Sequence, residues 1–142
     1  MKSSLVAFAL VFVCTPAHAL TSAEIDAAWN YDDPVASEQR FRAERARWPG
    51  GSRETLEIDT QIARTLGLQG RFDEANVLLD TVSVSSWTAP PRVDVRFLLE
   101  RGRVANSSGA PMQATEWFLH ALDRSADDPI FLLTPTFDES GM

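Results

Sequence analysis

Cysteine, histidine and lysine are almost absent from this chain. Cys14 is the only cysteine, Lys2 is the only lysine, and His18 and His120 are the only histidines among 142 residues. After residue 19 the chain therefore has no cysteine and one histidine, which excludes disulfides, thiol catalysis and zinc sites built from Cys and His. A Ser-His-Asp triad has only His120 to use. We therefore predict no metal site and no cofactor.

The chain also lacks a positive charge balance and long apolar runs. Its 13 Lys and Arg residues stand against 20 Asp and Glu residues, for a formal net charge of −7. Nucleic acids and anionic membranes attract net basic surfaces, so the charge argues against both as partners. A membrane-spanning helix needs about 20 apolar residues, and we expect no such span. The 44% hydrophobic and 23% charged composition is that of a globular protein.

The first 19 residues have the three parts of a secretory signal peptide. Lys2 supplies a positive start, Leu5–Cys14 is an apolar run, and Ala17-His18-Ala19 is a small-x-small cleavage signal. We expect cleavage after Ala19, which predicts an exported, periplasmic protein. The alternatives are a buried N-terminal helix and a lipoprotein acylated at Cys14.

Turn residues and apolar periodicity predict six helices and no strand after residue 19, which is an all-α fold. Thr21 with Glu24 forms a predicted capping box, and Asp33 before Pro34 forms a second predicted start. The stretch nearest to strand-like alternation, 82–87, is assigned mostly to the loop after the fourth helix. The predicted helices run from Thr21 to about Asn30, from Pro34 to about Trp48, from Arg53 to Leu68, from Phe72 to the loop Ser83–Pro91, from Arg92 to Ala105, and from Pro111 to Arg124.

The third and fourth helices align with the fifth and sixth at a shift of 39 residues. In each copy a glycine precedes the second helix, and that helix has a small residue followed by larger apolar residues. A small residue allows two helix backbones to approach closely. The matched pairs are Gly70 with Gly109, Ala75 with Ala114, Leu79 with Phe118, Val82 with Ala121, and Ala63 with Gly102.

The stretch Gly70-Arg71-Phe72-Asp73-Glu74-Ala75 resembles the turn and second-helix start of a tetratricopeptide repeat. Ile62, Ala63 and Leu66 match the apolar positions of the first helix of that repeat. The second copy matches through Gly102, Ala105, Gly109, Ala114, Phe118, Ala121 and Pro129. Three features depart from the pattern: Asp59 where Trp is common, Arg101 where Leu is expected, and five extra residues near Pro90-Pro91.

The resemblance implies antiparallel helix-turn-helix repeats, forming a fragment of an α-solenoid. We divide the chain into a signal peptide (1–19), an N-terminal helical pair that is a degenerate repeat or a cap (20–50), two repeats (51–128) and an irregular tail (129–142). An unrelated bundle of helical hairpins is the alternative. Repeat arrays normally end in a helix with a polar outer face. No such helix follows residue 128, so we expect an apolar face that the tail, the N-terminal helices or a partner covers. The chain can also be interpreted as a shortened form of a longer array.

In proteins of this family the first helices of the repeats line a concave groove. Carried onto this chain, the family's groove positions are Glu57, Thr60, Arg64, Gly67 and Leu68 in the first copy, and Arg96, Leu99, Arg103, Asn106 and Ser107 in the second. Arginine pairs well with carboxylates, so Arg64, Arg96, Arg103 and Asn106 would suit an acidic segment or a carboxylate. The alternative is that these arginines are solvated and paired with nearby acids. The lysine of the carboxylate-clamp members is missing here.

We therefore expect an exported module that binds a protein or peptide partner and catalyses no reaction. The alternative function is a structural or assembly component of the cell envelope that self-associates through its apolar terminal face. A hydrolase using two carboxylates is a third reading. The adjacent pairs Asp73-Glu74, Asp32-Asp33 and Asp127-Asp128 are explained as helix-start, turn and repeat-end residues. No phosphate, dinucleotide or calcium motif is present, so we predict no enzyme activity.

Overall fold

The computed structural model describes residues 18–85 and 91–126, and six helices make up most of these two ranges. Within them there is no strand, which confirms the all-α prediction. The helices are α1 (Ser22–Ala28), α2 (Pro34–Arg45), α3 (Arg53–Leu68), α4 (Phe72–Ser85), α5 (Pro91–Ser107) and α6 (Pro111–Ala126). The predicted signal peptide, except for His18 and Ala19, lies outside the described residues, as does the tail 129–142.

The helix starts follow the predicted caps. The Thr21 hydroxyl accepts a hydrogen bond from the Glu24 backbone N–H at 3.3 Å, and the Glu24 carboxylate accepts one from the Thr21 N–H at 2.8 Å. The Asp33 carboxylate accepts from the Ala36 N–H at 2.9 Å before α2. Each bond satisfies a backbone donor that has no partner within its helix. The capping box and the Asp33 cap are thereby confirmed.

The two helical hairpins turn with the same backbone geometry. Gly70 and Gly109 have φ of 71° and 90°, in the left-handed region that favours glycine. The Arg71 N–H donates to the Leu66 carbonyl at 2.9 Å, and the Ala110 N–H donates to the Ala105 carbonyl at 2.8 Å. Both bonds close the Schellman motif that ends a helix, and they are related by the 39-residue shift. The two hairpin turns therefore share their backbone hydrogen bonding.

Some predicted helix boundaries are wrong by a few residues. The second helix ends at Arg45, because Arg47 and Trp48 donate to carbonyls only three residues back, in a tighter turn. The fourth helix continues to Ser85, so residues 83–85 are helical and not part of a loop. Val82 is fully buried on the face that Ala75 and Leu79 share, which extends the packing of α4 to this point. The loop residues 86–90, with Trp87, lie outside the described residues.

The core centres on α3, which packs against α2, α4 and α5. Ala75 and Ala114, the predicted points of close helix approach, are both buried. Leu79 is fully buried, but Phe118 at the matching position of α6 is 38% exposed. The difference has a plain cause: α4 is packed by α5, whereas α6 is the last helix of the described chain.

Two departures from the repeat pattern are ion pairs between helices. Asp59 of α3 is buried and accepts two hydrogen bonds from the Arg45 guanidinium of α2, one at 3.0 Å from Nη2. Arg101 of α5 donates to Asn76 at 2.9 Å and to Asp80, both on α4. Its guanidinium also lies 5.4 Å from the centroid of the Phe97 ring. Charged pairs therefore link helices at positions where the repeat pattern expects apolar side chains.

A third polar contact ties α2 to the turn between α3 and α4. The buried Glu38 carboxylate accepts hydrogen bonds at 2.8 Å from Arg42, from Gln69 and from Arg71. Burial by itself raises the pKa of Glu38. The hydrogen bonds from Gln69 and Arg42, and the charges of Arg42 and Arg71, outweigh it and place this pKa below 4.5. The ionised carboxylate thus stabilises the packing of α2 on the hairpin.

Candidate partner-binding groove

A pocket of about 170 Å³ lies between the C-terminal halves of α3 and α5. Its walls combine two cations, one carboxylate, one hydroxyl and two apolar side chains. The lining residues are Arg64, Gly67 and Leu68 from α3, and Glu100, Arg103, Val104 and Ser107 from α5. Five of these seven residues, all but Glu100 and Val104, are among the groove positions expected from the sequence.

Arg64 is held by aromatic rings that follow α1. Its guanidinium carbon lies 5.2 Å from the centroid of the Trp29 ring and 5.3 Å from that of Tyr31. The two rings stack on each other, with centroids 4.8 Å apart. Trp29 is fixed in turn by a 3.0 Å hydrogen bond from Nε1 to the Gln61 side chain. A stacked guanidinium keeps its charge and its donors, so Arg64 can still bind an acceptor in the pocket.

Glu100 is the buried polar group of the pocket, with only 2% of its surface exposed. Its Oε1 accepts a hydrogen bond from Nη1 of Arg103. Within the described part of the chain, nothing forms a hydrogen bond with its Oε2. Burial raises the pKa of Glu100, and the charges of Arg103, Arg64 and Arg96 offset this only in part.

A second charged cluster lies where α3 and α5 begin. Glu57 is 1% exposed, and its Oε1 lies 2.8 Å from Nε of Arg92 and 3.2 Å from Nε of Arg96. Burial lowers the pKa of Arg96, although the charge of Glu57 acts in the opposite direction. This cluster is largely withdrawn from solvent, unlike the half-exposed Arg103 of the pocket.

Helix α1 contacts this second cluster. Arg92 donates a 2.7 Å hydrogen bond to the Ser22 hydroxyl at the start of α1. Asp26 of α1 adds a negative charge near Arg96. Ile25 of α1 is buried in the same apolar core as α3. The N-terminal part of the α3–α5 face is therefore occupied by the chain itself, and the pocket lies toward the C-terminal ends of these helices.

The six residues predicted to bind a partner occupy four different settings. Arg64 and Arg103 meet in the pocket, while Glu57 and Arg96 meet in the cluster beneath α1. Thr60 is buried and donates a 2.7 Å hydrogen bond to the Glu57 backbone carbonyl. Asn106 is exposed near the end of α5 and does not line the pocket. Glu57 and Thr60 consequently present almost no surface to a partner.

Glu100 is a functional candidate that the expected groove positions do not include. A signal for it exists, because Val93, Phe97, Glu100 and Val104 follow the i, i+4, i+7, i+11 spacing of one buried helix face. A carboxylate within an apolar stripe is costly to bury without partners, so it marks either an ion pair or a ligand site.

Two other surface features lie outside this pocket. A polar pocket of about 230 Å³, lined by residues that include Asn76, Arg101 and Trp117, lies between α4, α5 and α6. The outer side of α6 exposes Met112 at 85%, Leu119 at 59% and Leu122 at 67%. In the two described ranges no group of His, Cys, Asp and Glu residues could hold a metal ion. Nor does any helix there have the length and apolar character needed to cross a membrane.

No family model, curated protein or solved structure matches this chain.

Proposed function

We propose that this protein is an exported, tetratricopeptide-like module that binds a peptide or protein partner in the groove between α3 and α5 and catalyses no reaction. The observation that carries the proposal is the pocket, where Arg64 from α3 and Arg103 from α5 face one small space beside apolar side chains. Cations on two helices can hold acceptor groups of one ligand, and Val104 and Leu68 offer apolar contact.

The hydrogen bonds of the two hairpins support the repeat part of this proposal. The turns at Gly70 and Gly109 have equivalent bonds 39 residues apart, as stacked repeats require. The export part is supported by the sequence pattern before Leu20. Among the described residues, which begin at His18, Leu20 is the first that belongs to the apolar core, and it directly follows the predicted cleavage point after Ala19.

A pull-down from periplasmic extract, followed by calorimetry with the purified partner, tests this function. We expect a specific partner whose affinity falls about tenfold or more when Arg64→Ala and Arg103→Ala are combined. The matched control is Arg47→Ala combined with Arg53→Ala, two exposed arginines away from the pocket. A partner that binds both double variants equally well would contradict the groove as the binding surface.

The exposed side of α6 favours self-association as a second candidate function. Met112, Leu119 and Leu122 lie on one helix and are all more than half exposed. Two copies could bury these side chains against each other in a symmetric interface. Sedimentation velocity over a range of concentrations tests this, with Leu119→Gln plus Leu122→Gln as the variant. Val77→Gln, on an exposed site of α4, is the control. A wild-type protein that stays monomeric at all concentrations would exclude this candidate.

A further inference from the structure

The orphan acceptor in the groove restricts what the pocket can bind. Glu100 is only 2% exposed and lines the same pocket as Arg64 and Arg103, and within the described residues its Oε2 has no hydrogen bond. A buried acceptor without a hydrogen bond is unfavourable, so a ligand that supplies a donor at this point gains affinity. The two guanidiniums can only donate hydrogen bonds, so they require acceptor atoms from the ligand.

We propose that the pocket recognises a primary carboxamide, carried by an Asn or Gln side chain of the bound peptide. A carboxamide presents an NH₂ donor and a carbonyl acceptor in one plane. The NH₂ would donate to Glu100 Oε2, and the carbonyl would accept from Arg64 or Arg103. The apolar stem of the side chain would lie against Val104 and Leu68. A pocket of about 170 Å³ suits one side chain of this kind. This inference rests on the proposed peptide-binding function.

The other side-chain classes fit less well. A carboxylate brings only acceptors and would set a negative charge against Glu100. A Lys or Arg side chain would place a third cation beside Arg64 and Arg103. An aliphatic side chain would leave Oε2 without a donor while it excludes water from the pocket. The carboxamide is thus the class that satisfies both the orphan acceptor and the two donors.

Titration with a matched peptide set tests the proposal directly. The probes are acetylated pentapeptides of alanine with a central Asn, Gln, Asp, Glu or Leu. An N-methylamide at their C-terminus ensures that the central side chain holds the only primary carboxamide. Backbone ¹H–¹⁵N signals of Gly67, Val104 and Ser107 report binding at the pocket. At neutral pH we expect the Asn or Gln peptide to bind about tenfold more tightly than the Asp, Glu and Leu peptides.

Glu100→Gln provides a sharper test, because it exchanges the orphan acceptor for a group that can donate. We expect this variant to bind the Asp or Glu peptide more tightly than the carboxamide peptides, which reverses the wild-type preference. Glu116→Gln, an exposed carboxylate change on α6, is the control and should keep the wild-type order. A purely structural role of Glu100 would weaken all peptides alike and leave their order unchanged.

The outcomes separate this inference from the proposed function. Equal or tighter binding of the carboxylate peptides by the wild-type protein would overturn the carboxamide inference and leave groove binding intact. If no peptide shifts the backbone signals of the pocket residues, the carboxamide inference is overturned as well. Both comparisons use the wild-type protein, so they do not depend on whether a variant folds. The proposed function fails on a different result, a natural partner whose affinity is unaffected when Arg64 and Arg103 are replaced together.

Discussion

Gly102 of α5 lies against one side of the aromatic ring of Phe118 of α6. A Cβ atom built on Gly102 would overlap that ring, at 2.6 Å from Cδ1 and 2.8 Å from Cζ. In the first hairpin the matching positions hold Ala63 and Leu79, and both are fully buried. A larger residue on one helix is therefore matched by a smaller residue on the other, and the pair Gly102–Phe118 is the more extreme version of this packing.

Gly102→Ala should therefore destabilise the protein, although Ala is normally the better helix former. We expect a net loss of up to about 1 kcal/mol in the free energy of unfolding, because the ring of Phe118 must move but is partly exposed and can turn toward solvent. Gly67→Ala is the matched control, since its added Cβ would lie 3.6 Å from Val104 Cγ2, an ordinary contact. That control should gain about 0.5–1 kcal/mol from helix propensity. Urea denaturation measures both, and equal effects of the two changes would contradict the packing argument.

The helices and their hairpin turns were predictable from the sequence, and the interhelical ion pairs were not. The turn glycines and the buried positions follow local rules of backbone conformation and helical period. Asp59 looked only like a departure from a repeat pattern, because its partner Arg45 lies on another helix and 14 residues away. Such an ion pair forms because the fold brings two distant residues together, and local propensity does not predict which residues meet.

Arg45→Ala should leave the buried carboxylate of Asp59 without its partner. We expect a loss of about 1–3 kcal/mol, which is less than for a wholly buried pair because the Arg45 side chain is half-exposed. Replacing both residues, as Arg45→Met with Asp59→Leu, should restore most of the lost stability, since two apolar groups need no pairing. A double-mutant cycle by thermal denaturation measures the coupling. Additive effects of the two single changes would show that the pair contributes nothing.

Acid should weaken the contact between α2 and the first hairpin through Glu38. The folded protein holds the pKa of this carboxyl below 4.5, so the unfolded chain binds its proton first as the pH falls. The stabilisation is complete above about pH 5 and is lost as the pH falls from 4.5 toward the folded pKa. Glu38→Gln should cost about 1–3 kcal/mol at neutral pH.

Thermal denaturation of Glu38→Gln between pH 3 and pH 7 checks this prediction. The curves of variant and wild type should approach each other at the acid end, where both side chains are uncharged. Glu116→Gln is the control for removing one carboxylate elsewhere. A constant difference between Glu38→Gln and wild type across this range would contradict a role for the ionised carboxylate.

The candidate site was only partly predictable from the sequence. The repeat positions brought Arg64 and Arg103 to the same space, as expected from side chains on neighbouring helices. Glu57 and Thr60 were also expected to line the groove, but both are buried, because α1 contacts the beginning of the α3–α5 face. A positional pattern assigns a residue to a helix face, but it does not say which other segment packs on that face.

The two sets of predicted groove residues should therefore respond differently to substitution. Glu57→Gln leaves two largely buried guanidiniums, Arg92 and Arg96, without a carboxylate between them. We expect it to lower the free energy of unfolding by about 3–5 kcal/mol. Arg64→Ala removes a partly exposed stacking contact and should cost only about 1 kcal/mol.

Binding of the natural partner should show the reverse order. Arg64→Ala should weaken it, and Glu57→Gln should change it little at temperatures where that variant stays folded. Calorimetric binding and thermal denaturation of the same two variants measure both quantities, and a Glu57→Gln protein of wild-type stability with impaired binding would instead place Glu57 in the binding surface.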